Sequence, residues 1–141
     1  MTTPHAMEAP AITLNRPFDL SEVVIGLHRD GSARPIPPAP GPPRRIDGLS
    51  VGAPVMTRPA PHDGEMHPDG DELLFVVSGR VAVVFLESAG PEQGVELTPG
   101  QAIVVPRGVW HRVHPQQPSQ LLHITPGPGG EWRPLQPGRP A

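Results

Sequence analysis

The placement of proline constrains this chain more than any other feature. Of its 141 residues, 23 are Pro, a residue that lacks a backbone donor and breaks helix interiors. Spread evenly, that content together with 16 Gly would describe a disordered chain. The prolines instead cluster before residue 62 and after residue 125, and the stretch between them holds most of the Val and Leu. A chain of this length forms one domain around one core. The expected division is a tail, short helix and Pro-rich arm over 1–47, an all-β domain over 48–126, and a Pro/Gly-rich tail over 127–141.

Inside the central stretch, apolar runs of strand length alternate with turn residues. LSVGAPVMT (49–57) reads as one strand bent near Gly52 and Pro54. ELLFVVS (72–78) and RVAVVFL (80–86) flank Gly79 and read as a tight hairpin. AGPEQG (89–94) is a loop, and VELT (95–98) leads into the Pro99-Gly100 turn. QAIVVP (101–106), VWHRV (109–113) and QLLHIT (120–125) complete the set. Many short, evenly spaced strands imply an antiparallel β-barrel or jelly roll. Upstream, residues 1–11 read as a tail. FDLSEVVIGLH (18–28) predicts a short helix, with Asp19 as N-cap, Glu22 as its capping-box partner and Leu20, Val23, Val24 and Leu27 as one stripe. Residues 30–45 carry six prolines and predict an extended arm.

Three absences narrow the chemistry. The chain has no Cys, no Tyr and no Lys, all eleven basic residues being Arg. Thiolate, phenol and Schiff-base chemistry are therefore excluded, leaving His, Asp and Glu. A net charge of −3 with no basic stripe gives no support for nucleic-acid binding. No apolar run approaches a membrane span, and the first ten residues carry no leader pattern. A cytoplasmic protein is expected. A homodimer is also expected, because Ile12, Leu14 and Ile36 lie outside any evident core.

Among the remaining residues, strand alternation singles out a candidate set. Glu65 and His67 are two apart and share a face. Glu72 opens a strand whose same-face neighbours are Leu74 and Val76, which aims it into an apolar interior. His111 sits between Trp110 and Val113. A carboxylate inside a barrel needs a cation or hydrogen-bond donors. Two His and one carboxylate with open positions suit a divalent metal such as Zn, Fe, Mn, Ni or Cu. His67, Glu72 and His111 are the candidate ligands, and Glu65 is the candidate catalytic, proton-moving group. His123 and His62 are secondary candidates for lining or covering the site. Asp69 and Asp71 read as turn residues, and Trp110 as core.

HPDGDELLFVVSG (67–79) resembles the first motif of the cupin superfamily, in which a His-x-His pair precedes a Glu that six residues separate from a Gly. GQAIVVPRGVWH (100–111) resembles the second, with Gly100, Pro106, Gly108 and His111 in register. The resemblance covers about residues 49–125 and implies a cupin barrel with an internal metal site. It departs from the pattern at Glu65, which stands where the first His belongs, and at Pro115, where the second motif usually closes with Asn. Two alternatives stay open at Glu65. It is a fourth, oxygen ligand, or the site has three protein ligands or none. The resemblance implies a metal-dependent enzyme of dioxygenase, isomerase or lyase type on a small polar metabolite. The alternative is a non-catalytic or metal-free small-molecule binder.

Overall fold

The computed structural model describes residues 12–40, 44–86, 93–127 and 130–135. The expected tail over 1–11 lies outside them, as do most of the 89–94 loop, Pro42 and Pro43 of the arm, and residues 128–129 and 136–141. The described residues form twelve strands and no helix. None of their elements is a helix long and apolar enough to cross a membrane.

Two antiparallel sheets face one another. The larger runs in the order β2 (Ala33–Pro35), β1 (Ile25–His28), β3 (Gly48–Gly52), β11 (Ser119–Pro126), β6 (Glu72–Ser78) and β9 (Ala102–Val105), and β4 (Val55–Met56) pairs β11 beside this path. The smaller runs β12 (Glu131–Arg133), β5 (Gly64–Met66), β10 (His111–Pro115), β7 (Val81–Phe85) and β8 (Gln93–Leu97). Among the described residues the sheets do not join edge to edge, so the barrel is not closed. The core is the layer between them, where Leu74 and Val76 meet Val81, Val83, Leu97, Val105 and Leu121.

Two local readings are corrected. Residues 18–28 do not form a helix. Asp19 does accept the Ser21 N–H at 2.9 Å and starts a single turn through Val23, but the chain then extends into β1. Val23, Val24 and Ile25 are β-branched, and pairing of β1 to both β2 and β3 supplies backbone partners that an isolated turn lacks. The 72–86 segment is also not a hairpin. β6 pairs β11 and β9, whereas β7 pairs β10 and β8. Gly79 therefore turns the chain from one sheet into the other.

That turn demands glycine. Gly79 has φ +86°, and a Cβ there would stand 2.6 Å from the Pro118 carbonyl oxygen. Behind it, the Ser119 hydroxyl accepts the Arg80 N–H at 2.9 Å and pins the crossing. At the opposite end of β6 the 106–108 turn is tied to the 67–71 loop. The Gly108 N–H donates to the His67 carbonyl at 3.0 Å, and the Arg107 N–H to Asp71 Oδ1 at 2.8 Å. The segments that resemble the two cupin motifs are thus joined through backbone.

Candidate metal centre

Both sheets contribute to one cluster. In the smaller sheet, Glu65 on β5 stands directly opposite His111 on β10. His67 follows one residue beyond the end of β5. In the larger sheet, Glu72 opens β6 opposite Val105 and is buried on the same face as Leu74 and Val76. His67, Glu72 and His111 are buried, the last fully, and Glu65 is half-buried. The candidate donor atoms of all four residues lie within 4.8 Å of one another.

The spacing of these donors matches a shared ion. Ligands about 2.1 Å from a metal are separated by about 3.0 to 4.2 Å from one another, depending on their mutual angle. His111 Nε2 lies 2.9 Å from Glu72 Oε1 and 3.5 Å from Glu65 Oε1. His67 Nε2 lies 3.2 Å from Glu72 Oε2 and 4.0 Å from Glu65 Oε1. His67 is the telling residue. Both of its ring nitrogens are buried without a hydrogen-bond partner, so the 3.2 Å contact with Glu72 lacks hydrogen-bond alignment. A buried, unsatisfied imidazole beside two carboxylates is costly unless something else takes its lone pair. The donor set fits a divalent cation.

Neighbouring groups orient this set. His111 Nδ1 lies 3.0 Å from the Val109 carbonyl, which only accepts, so Nδ1 donates and Nε2 faces the carboxylates. Glu72 Oε2 accepts the Thr125 hydroxyl at 2.6 Å, and Thr125 Oγ1 in turn lies 2.9 Å from His123 Nδ1. His62 Nδ1 accepts the Gly64 N–H at 3.1 Å, which leaves its proton on Nε2, 3.7 Å from Glu65 Oε2.

The charges of the cluster are interdependent. Burial disfavours the imidazolium of His111, but its contacts with Glu65 and Glu72 outweigh burial and raise it to about 10. Burial likewise opposes ionisation of Glu72, yet the rings of His111 and His67 hold it below the usual carboxylate range. His123 and His62 are both pushed down, chiefly by burial. A proton on His111 and a metal ion at the cluster are alternative ways of neutralising the same carboxylates.

A cavity of about 230 Å³ opens onto the cluster. Glu65, His67 and Glu72 line its polar end, and Met56, Leu74, Val113, Leu121 and Trp132 its walls. His123 and His62 also line it, outside the four-residue cluster. Asp69 and Asp71 sit in the turn, Asp69 paired with Arg45 at 2.6 Å. Trp110 lies 3.8 Å beneath the Arg133 guanidinium. Trp132 was not legible as a cavity residue. It falls in the Pro/Gly-rich flank, and only the alternation of Glu131, Trp132 and Arg133 marks β12.

Two facing antiparallel sheets with a His/Glu cluster between them define a β-sandwich protein with a candidate metal site. Residues 57–125 match the cupin-domain family, and the chain belongs to the cupin superfamily. It is 36% identical over 64 residues to germin-like protein 3-8 of Oryza sativa subsp. japonica, a match covering 45% of this chain and 28% of that protein. Its fold resembles a cupin superfamily protein from Desulfitobacterium hafniense DCB-2, with TM-score 0.51 and 16% identity over 84% of this chain and 96% of the other. It also resembles Peruvianin-I, a cysteine peptidase from Thevetia peruviana latex, with TM-score 0.51 and 19% identity over 63% and 58% of the two chains. Cysteine chemistry has no counterpart here, because this chain contains no cysteine.

Proposed function

We propose that this protein is a metal-dependent enzyme acting on a small metabolite, with His67, Glu72 and His111 as metal ligands and Glu65 as the proton-moving group. The observation that carries the reading is the buried imidazole of His67, close to two carboxylates but without an aligned hydrogen bond on either ring nitrogen. A bound divalent ion would supply Lewis acidity toward a substrate oxygen or, if redox-active, a site for O₂. The chain supplies the rest. Glu72 is held by Thr125, and His111 is held by the Val109 carbonyl. Glu65 is the most exposed member of the cluster, and its other oxygen faces His62. It is therefore placed to exchange a proton with a molecule in the cavity.

A second reading has one supporting observation. His111 and Glu72 already satisfy each other at 2.9 Å, as they would in a metal-free binding protein. Metal content per chain after dialysis separates the two. The wild type should retain about one divalent ion, His111→Ala should lose it while staying folded, and Glu65→Gln should keep it but lose activity. Full retention in His111→Ala would overturn the ligand assignment. No metal in the wild type would favour the metal-free binder.

A further inference from the structure

We infer that the cavity selects compact ligands that carry a metal-binding oxygen group at one end, an apolar body, and at most one negative charge. This rests on the proposed metal site and adds the substrate class. Three observations carry it.

The first concerns cations. Among the described residues no Arg lines the cavity, and the chain contains no Lys. The guanidinium of Arg112 points to Asp63 at 4.0 Å, and that of Arg133 covers Trp110. His62 is held neutral by geometry, because its Nδ1 accepts the Gly64 N–H. The second is the carboxylates. Glu65 and Glu72 cancel the charge of a divalent ion, and Glu131 adds another at the exposed rim. A dianionic ligand would bring two further negative charges close to these groups with no cation in the wall to meet them. The third is the wall itself. About 230 Å³ is roughly the space of eight waters, and Met56, Leu74, Val113 and Leu121 make much of it apolar. Such a surface gains from burying a hydrocarbon body and gives a polyol or dicarboxylate few partners.

Two matched pairs of probes test this on the zinc-loaded protein, read by tryptophan emission because Trp132 lines the cavity. Each affinity is normalised to that of the same ligand for zinc in water, and zinc content is measured alongside. Malonate and its monoamide differ by one charge at equal size, and the monoamide should be favoured by about tenfold or more. Acetohydroxamate and benzohydroxamate share a chelating group, and the benzo compound should be favoured by a similar factor. Met56→Arg should swing the first preference toward malonate. Equal or tighter binding of malonate by the wild type overturns the inference, as does indifference to the phenyl ring. A wild type that binds no zinc instead refutes the metal reading, and the zinc assay reports that separately.

Discussion

His111 links the electrostatics of the site to the stability of the fold. Its folded value of about 10 lies above the ordinary 6.5. A group raised in this way contributes stability that is complete below about 6.5 and disappears as pH rises through about 10. Glu72 acts in the opposite sense. Depressed below its ordinary 4.5, it contributes stability above that value and loses it in acid. His62 and His123, pushed down by burial, favour the neutral ring in the fold and cost stability as pH falls below 6.5. The metal-free protein should therefore be most stable near about pH 6.5, with a thermal midpoint that falls steadily toward pH 10. Thermal unfolding in the presence of a chelator checks this, and His111→Ala should flatten the alkaline limb. Metal binding requires the neutral ring, so affinity should rise across the same alkaline interval in which the metal-free protein weakens.

At the scale of elements, the crossing at Gly79 carries a separate expectation. A Cβ at φ +86° would meet the Pro118 carbonyl and Ser119 Cα, and both are backbone atoms that cannot swing aside. Gly79→Ala should destabilise the fold by about 1–3 kcal/mol in denaturant unfolding, while the folded fraction keeps its full metal content. This turn also shows where sequence reading stops. Glycine between two apolar runs marks a reversal, but hairpin and sheet-to-sheet crossing share that signal. What decides is the partner of each strand, which lies far away in sequence: Leu121 for Val76, and Val113 for Val83. Alternation did place Glu72, Leu74 and Val76 on one inward face, because a period of two survives any choice of partner. That Glu65, His67, Glu72 and His111 converge was expected from the resemblance to the two cupin motifs, not from alternation, which says nothing of which strands meet. Strands β1, β2 and β12 were not, since they are short, lie among prolines and depend on edges supplied by other strands. His123 and Thr125 were legible as inward residues, but their link to Glu72 needs the three-dimensional register of β11 on β6.

At the scale of the whole molecule, one large face is left that none of the described residues explains. Inward alternation in the larger sheet turns a complementary set outward. Val51 pairs with Ile124, Ile124 with Leu73, and Leu73 with Val104, making an apolar row across four strands. Phe75 and Leu122 form a second row beside it. Val104 is 55% exposed and Val77 44%, and by alternation none of the outward residues of these four strands is charged. An apolar sheet face of this extent on one chain is a liability for aggregation or an interface. A second copy fits it well. A two-fold axis sets each patch against itself, and an uncharged patch meets its own image without like-charge conflict. The chain should therefore sediment as a dimer at micromolar concentration. Val104→Glu places a carboxylate in the row at a position already open to solvent in one chain, so folding should survive. Across the two-fold the same change buries a charge from each copy in the interface, and dissociation to monomers should follow. A wild-type monomer at micromolar concentration would refute the pairing, and a Val104→Glu dimer would move the interface to another face.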